Sequence, residues 1–210
     1  MSDRVLYAAH GIDGWIYDTF FSNTEKGYFV DIGAHHPTRG NNTYFFEQLG
    51  WEGICFEPLP ELAAQLSLER KCTVVKKALS DTPGVFSFFQ IKGVSEVLSG
   101  LEDKFDQTSI ARINKEIEEH NQDYDYIEVE CSLFEDEVTT TEIDLLSIDV
   151  EGAELDILKT IDFDKYFIKV MIVEFNHPNP PLLSFIEEKE FSVVARKGVD
   201  IIFKNNSYVY

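Results

Sequence analysis

The sequence is poor in cysteine and in long apolar runs, and each shortage excludes a class of protein. Cys55, Cys72 and Cys131 are unequally spaced among 210 residues, which argues against a disulfide framework or a cysteine metal site. We interpret them as buried free thiols in a reducing compartment, and the protein as cytoplasmic. No apolar run approaches the roughly 20 residues that span a bilayer. The N-terminus also lacks the basic and apolar blocks of a signal peptide.

Basic residues are scarce as well. The chain has 18 Lys and Arg against 38 Asp and Glu, a formal net charge of −20. Such a charge repels nucleic-acid phosphates and anionic lipid, so we expect neither nucleic acid nor a membrane as a partner. A neutral acceptor, or a cation bound among carboxylates, is compatible with it. The length predicts one domain, residues 1–210, which could itself belong to a longer protein. The oligomeric state is left open.

Short apolar segments alternate with amphipathic ones along most of the chain. The pattern predicts strands at 28–32, 53–57, 72–75, 127–134, 144–149 and 169–175, and a closing hairpin at 191–195 and 199–204. It predicts helices at 13–21, 44–49, 59–69, 109–120, 154–161 and 182–189. This alternation indicates an α/β fold with a mainly parallel sheet and an antiparallel strand at one edge. A Phe-rich strand at 85–91 is expected beside the third strand.

Acidic residues fall where four of the predicted strands end. Asp31, Glu57, Asp149 and Glu174 each lie at the carboxyl end of a predicted strand. Ligands of open α/β sheets bind outside the carboxyl ends of the strands. The four acids therefore point to one site.

The turn after the first strand has one glycine instead of a glycine-rich loop. Gly33 is followed by Ala34, His35, His36 and Pro37, whereas a dinucleotide needs G-x-G-x-x-G to approach the backbone with its pyrophosphate. A single glycine beside an acid suits S-adenosylmethionine better, since the acid and backbone amides would hold its amino and carboxylate groups. Glu57 would then accept hydrogen bonds from both ribose hydroxyls.

In these stretches the chain resembles the FkbM-type methyltransferases. The matching segments, in the family's order, are GYFVDIGAHHP at 27–37, NNTYFFE at 41–47, GWEGICFEP at 50–58, SGL at 99–101, DLLSIDVEGAELDIL at 144–158 and VEFN at 173–176. The resemblance implies a class I, Rossmann-like methyltransferase fold with a seven-stranded sheet, and O-methylation from S-adenosylmethionine. Ala8-Ala9 departs from the family's Ser-Gln, so no contact is transferred to those two residues.

With the resemblance, roles can be assigned to individual residues. The expected cofactor-binding residues are Asp31, Gly33, Ala34, His35, Asn42, Glu57, Pro58, Ala78 and Asp149. The expected catalytic residues are Asp149, Glu174 and His177. The expected substrate contacts are His36, Ser99, Gly100 and Asn176. The N-terminal segment, residues 1–27, is expected to fold as a helix over the cofactor.

Two mechanisms are compatible with these residues. Methyl transfer from a sulfonium is an in-line displacement, and a sugar hydroxyl is a weak nucleophile that gains from a base or a metal. In the first mechanism, Asp149 or His177 takes the proton. In the second, Asp149, Glu174 and Glu151 hold Mg²⁺ or Mn²⁺. Glu154 is expected to cap the following helix instead of taking part in the chemistry.

The sequence therefore predicts an S-adenosylmethionine-dependent O-methyltransferase acting on a sugar hydroxyl, such as a deoxyhexose of a glycan. One alternative is an enzyme that methylates a small natural product. Another is a catalytically silent domain that keeps the fold and serves as an interaction module.

Overall fold

The computed structural model describes residues 4–210, which form eleven strands and seven α-helices. The strands are β1 (Tyr28–Ile32), β2 (Glu52–Phe56), β3 (Thr73–Val75), β4 (Ala78–Leu79), β5 (Gly84–Lys92), β6 (Gly100–Leu101), β7 (Asp123–Ser132), β8 (Glu142–Ile148), β9 (Phe167–Glu174), β10 (Phe191–Lys197) and β11 (Asp200–Asn205). The helices are α1 (Ile12–Ile16), α2 (Tyr44–Gln48), α3 (Pro60–Glu69), α4 (Gln107–His120), α5 (Phe134–Glu137), α6 (Glu154–Thr160) and α7 (Pro180–Glu188).

Seven of the described strands form the main sheet, in the order β10-β11-β9-β8-β1-β2-β3. Strands β3, β2, β1, β8 and β9 are parallel to one another, whereas β11 runs antiparallel to both β9 and β10. The predicted α/β fold, with a seven-stranded sheet and a C-terminal antiparallel hairpin, is confirmed. The parallel register places the carboxyl ends of β1, β2, β8 and β9 at one edge.

The Phe-rich strand β5 does not lie beside the third strand of the main sheet, so that expectation was wrong. It pairs antiparallel with β7 over nine residues, from Gly84 opposite Cys131 to Lys92 opposite Asp123. With β4 and β6 they form a second sheet of order β4-β7-β5-β6. Periodicity identified both strands, but it does not encode which strand each one pairs with. Pairing with β7 gives β5 a ladder of nine residue pairs, whereas β3 has only three residues to pair with.

Helices cover both faces of the main sheet. Alternation along β1 sends Phe29 to one face and Val30 and Ile32 to the other. Residues of α6 and α7 pack on the Val30 face, and residues of α1, α2 and α3 pack on the Phe29 face. This layered core fixes the positions of the strand ends.

The predicted helix 13–21 is present, as α1 followed by a π-helical turn at Tyr17–Phe21. It packs on the sheet face, where Phe21 makes an edge-to-face contact with Trp51 at 5.0 Å between ring centroids. Within the described part of the chain, no residue of this helix lines the cavity described below. The helix therefore supports the sheet. The three cysteines are free thiols, and no described helix is long and apolar enough to cross a bilayer.

Candidate active site

A cavity of about 220 Å³ opens at the carboxyl ends of β1, β2, β8 and β9. All four strand-end acids, Asp31, Glu57, Asp149 and Glu174, contribute to its wall. Further predicted residues in the wall are Gly33, Ala34, His35, His36, Asn42, Pro58, Ala78, Ser99 and Glu151. Gly100, Asn176 and His177 lie outside this lining.

The close approach of the backbone at Asp149 explains why the turn after β1 has a glycine. Gly33 has φ of +82°, and a Cβ there would lie 1.8 Å from the carbonyl oxygen of Asp149. The amides of Gly33 and Ala34 both donate to the carbonyl of Phe56 at 3.0 Å. The expectation that these amides hold a ligand carboxylate is therefore not met, because the β1–β2 ladder extends into the turn and uses them.

Two backbone amides hold the carboxylate of Glu57 in place. Its Oε1 accepts from the amide of Leu59 and its Oε2 from the amide of His35, each at 2.9 Å. These two bonds fix the plane of the carboxylate and leave each oxygen a lone pair for a ribose hydroxyl. Only 4% of the residue is exposed, and this burial raises the pKa of Glu57 to about 7.

Asp31 is buried at the end of β1 within a network of hydrogen bonds. Its Oδ2 accepts from the hydroxyl of Thr43 at 2.7 Å and from Nδ2 of Asn41 at 3.2 Å. Oδ1 of Asn41 in turn accepts from the amide of Tyr44 at 2.8 Å, so this side chain also caps α2. Burial raises the pKa of Asp31, and the nearby charge of Arg70 opposes that rise.

Arg70, which directly follows α3, donates hydrogen bonds to this network. Its guanidinium is fully buried and donates to Glu47 at 3.1 Å, to Oδ1 of Asn41 at 3.2 Å and to the hydroxyl of Thr43 at 3.1 Å. Sequence reasoning missed this residue. The available signal was weak: an acid within the apolar helix α2 requires a buried cation, but nothing identifies Arg70 as that cation.

Three carboxyl groups gather where β8 and β9 end. Asp149, Glu151 and Glu174 each place an oxygen within 4.8 Å of the other two. Nδ2 of Asn176 donates to Glu174 at 2.6 Å and to Glu151 at 3.0 Å. Arg112 of α4, which sequence reasoning also missed, lies 3.5 Å from Glu151. We call Asp149, Glu151 and Glu174 the carboxyl cluster.

The backbone of this turn is strained at a residue of the cluster. Glu151 has φ of +55° and Gly152 has φ of +120°, and a left-handed conformation is unusual for a residue with a side chain. Oε1 of Glu154 accepts from the amide of Gly152 at 3.0 Å, which holds the turn. Glu154 therefore has a structural role in the turn before α6, but it does not cap that helix as expected, because its carboxylate accepts from the preceding amides and the N-cap residue is Ala153.

Burial and mutual repulsion favour protons on the carboxyl cluster. Both effects raise the pKa of Asp149 and of Glu174, and the contact between these two carboxyl groups raises the pKa of Glu174 further while opposing the rise at Asp149. Burial also raises the pKa of Glu151 to about 7, and Arg112 opposes that rise. Asp200 of β11 pairs with Glu174 in the sheet register and adds negative charge. The cluster is therefore suited to exchange a proton near neutral pH.

The predicted histidines take different positions. Nδ1 of His36 accepts from the amides of Thr38 and Arg39, so this ring shapes the loop. Nε2 of His35 lies 3.5 Å from Glu96, and burial lowers the pKa of His35. His177 lies 3.1 Å from Asp106, in a second cavity.

The predicted Ser-Gly pair also supports its own loop. The hydroxyl of Ser99 donates to the carbonyl of Glu96 at 2.6 Å and accepts from the amide of Ile91 at 3.0 Å. A Cβ at the buried Gly100 would lie 3.0 Å from the ring of Phe105. Both residues therefore position the wall of the cavity through internal contacts.

The second cavity, of about 230 Å³, adjoins the first. The two share Glu151 and Glu174. The other polar residues of the second cavity include Lys104, Asp106, Ser109, Glu154, Asn176, His177 and Asn179. The carboxyl cluster thus lies at the junction of the two cavities.

The sheet order, together with the acids at the ends of β1 and β2, defines a class I S-adenosylmethionine-dependent methyltransferase. The chain belongs to the FkbM methyltransferase domain family, whose model matches residues 31–194. The expected fold, the family and a methyltransferase activity that uses S-adenosylmethionine are therefore supported together.

One solved structure supports the fold, and a second superposes with a lower TM-score. A candidate rRNA methylase from Clostridium thermocellum superposes with a TM-score of 0.50 at 10% identity, covering 97% of this chain and 99% of that chain. A TehB-like SAM-dependent methyltransferase from Corynebacterium glutamicum gives a TM-score of 0.45 at 10% identity, covering 97% and 90% of the two chains. No curated protein matches the sequence significantly.

Proposed function

We propose that the chain transfers the methyl group of S-adenosylmethionine to a hydroxyl of a neutral sugar or glycan. The observation that carries the proposal is the carboxyl cluster at the junction of the two cavities. A hydroxyl nucleophile must lose a proton as the new bond forms, and a buried cluster that exchanges protons near neutral pH is suited to accept it.

The first cavity fits the donor. Glu57 offers two fixed acceptor oxygens for the ribose hydroxyls, and the wall beside Ala78 is apolar, with Leu59, Leu79 and Phe88. Such a surface suits the flat adenine ring. When bound, S-adenosylmethionine supplies a methyl group on a positively charged sulfur.

The second cavity fits the acceptor. Amides of Asn176 and Asn179 and the hydroxyl of Ser109 surround it, and the ring of Phe175 lies in its wall. Amide, hydroxyl and aromatic groups together suit a ligand rich in hydroxyl groups. The cations nearest the cluster already have acidic partners, since Arg112 lies 3.5 Å from Glu151 and Lys104 contacts Asp81 and Asp156. A phosphorylated or sulfated acceptor is therefore disfavoured.

In this proposal Asp149 is the proton acceptor. Glu174, hydrogen-bonded to Asp149 and to Asn176, positions it and shares its proton. His177 is separated from this role by its contact with Asp106, although it can still contact the acceptor from the second cavity. The alternative is that Asp149, Glu151 and Glu174 hold Mg²⁺ or Mn²⁺, which would acidify the hydroxyl as a Lewis acid.

The test begins with calorimetry of S-adenosylhomocysteine, which a catalytically silent domain need not bind. The chain is then incubated with S-adenosylmethionine and a panel of free sugars, glycosides and macrolide-like compounds, and methyl ethers are detected by mass spectrometry. Products from the neutral sugars or glycosides are expected. Methylation of the macrolide-like compounds alone would favour the alternative, an enzyme that methylates a small natural product. Full activity in excess EDTA would exclude the metal, and loss that Mg²⁺ or Mn²⁺ restores would exclude base catalysis alone.

A further inference from the structure

The methionine part of the donor carries a carboxylate. In the turn after β1, several backbone amides that could bind it already have acceptors within the protein. The amides of Gly33, Ala34 and His35 already donate to Phe56 and Glu57. The amide of Gly40 donates to the carbonyl of Tyr7 at 2.9 Å. These four amides are therefore not free for a ligand carboxylate, and a cationic side chain is a stronger donor to a carboxylate than a neutral amide.

Arginine and lysine side chains line the first cavity at three positions. Lys77 lies 2.8 Å from Glu130 and 2.9 Å from Glu137. Arg112 lies 3.5 Å from Glu151 of the carboxyl cluster. Among residues 4–210, Arg39 has no acidic partner.

Arg39 also lies at the end of the cavity where the amino-acid tail of the donor is expected. The carboxylate of Glu57 and the apolar wall beside Ala78 assign the ribose and adenine to the β2 and β4 side. The amino-acid tail then extends the other way, toward the loop between β1 and α2, where the wall is formed by Arg39, Gly40 and Asn42.

The backbone that carries Arg39 is braced on both sides. Its own amide donates to Nδ1 of His36 at 3.0 Å, and Gly40 forms a parallel bridge with Ala8. The buried carboxylate of Asp13 accepts from the amides of Tyr7 and Ala8 and so fixes that partner segment. The loop is therefore fixed before a ligand binds, which lowers the entropy cost of placing a guanidinium.

We propose that Arg39 binds the carboxylate of the methionine part of the donor. A guanidinium matches a carboxylate with two parallel hydrogen bonds, which a lysine does not reproduce. The inference rests on the proposed use of S-adenosylmethionine, and it assigns to Arg39 a role that neither strand periodicity nor the four strand-end acids predicted.

Two nucleosides test the assignment by calorimetry. S-adenosylhomocysteine has the carboxylate, and 5′-methylthioadenosine lacks the amino-acid tail. Arg39→Ala should weaken binding of S-adenosylhomocysteine by about 10- to 100-fold, the range for a hydrogen bond to a charged group. Binding of 5′-methylthioadenosine should change by less than about threefold. Arg39→Lys should give an intermediate loss, because it keeps the charge and loses the paired geometry.

Lys77→Ala is the matched control. It also removes a cation that lines the cavity, but Lys77 already has two acidic partners, Glu130 and Glu137. It should leave the ratio of the two affinities unchanged. If Arg39→Ala weakens both nucleosides equally, or neither, the assignment of Arg39 is wrong while the donor site stands. If the wild-type chain binds neither nucleoside, the proposed donor itself is wrong and the inference falls with it.

Discussion

At the β1 end of the site the buried acid Asp31 accepts hydrogen bonds from Asn41 and Thr43 and lies near Arg70. At the β8 end the acid Asp149 faces two further carboxyls instead. Both acids lie at the carboxyl end of a parallel strand, at the same edge of the sheet. The first is surrounded by donors and a cation, and the second by groups of its own charge.

Under the proposed function, the surroundings of Asp31 suit ligand binding, and those of Asp149 suit the chemical step. Donors that are already in place hold the loop from Pro37 to Thr43 in one conformation, which suits recognition of a ligand that does not change shape. Carboxyls that repel one another bind protons more tightly than free carboxyls do, so their proton exchange moves toward neutral pH, which suits proton transfer. Three variants test this contrast.

Asp149→Asn should have the largest effect. It removes the proposed proton acceptor with little change in size, so kcat should fall by about 10²- to 10⁴-fold, the usual contribution of a general base. Steady-state rates with the acceptor found in the panel measure this, and calorimetry should show affinity for S-adenosylhomocysteine within about threefold of wild type. Asp164→Asn, an exposed acid beyond α6, is the control and should keep full activity. Unchanged kcat in Asp149→Asn would exclude the base role.

Arg70→Met should have the next largest effect, on stability. It leaves Glu47 buried without its cation, and breaking a buried pair in this way costs roughly 3–5 kcal/mol of the free energy of unfolding. Urea denaturation measures the loss. Arg4→Met, which removes the exposed contact with Asp18, should cost less than about 1 kcal/mol. Equal losses in the two variants would mean that the Arg70 network adds nothing beyond a surface ion pair.

Glu57→Gln should have the smallest effect, on the pH dependence of stability. The folded-state pKa of Glu57 is raised from 4.5 to about 7, so between these values the folded chain keeps a proton that the unfolded chain has lost. Stability therefore falls as pH rises through this window, by up to about 1.4 kcal/mol per pH unit for this group.

Replacing the carboxyl with an amide should remove that part of the slope in urea denaturation at several pH values. Glu61→Gln, an exposed neighbour on α3, should leave the slope as it is. If Glu57→Gln and wild type share one slope, Glu57 is already ionised in the folded chain near pH 5.

Much of the fold could be predicted from the sequence because its signals are local. The apolar run at Tyr28–Ile32 became β1 with the predicted bounds, and the segment before Gly50 became α2. Gly33 was identified as the glycine of the turn after the first strand, although its close neighbour is the carbonyl of Asp149 and not a ligand. The order of the strand-end acids along the chain was enough to place them at one edge.

The rest depended on contacts between distant parts of the chain. Arg70 meets Glu47 across 23 residues, and β5 pairs with β7 across a helix. Neither contact leaves a periodic pattern in the sequence.

By itself, the sequence determined the α/β class, the family and the four acids at the strand ends, because periodicity and strand termini are properties of neighbouring residues. Only the tertiary structure decided which amides were already used by the β1–β2 ladder, which arginine was buried and which lined the cavity. Hydrogen-bond partners and charge pairs are set by where the packed elements meet in space, and that is a property of the whole fold.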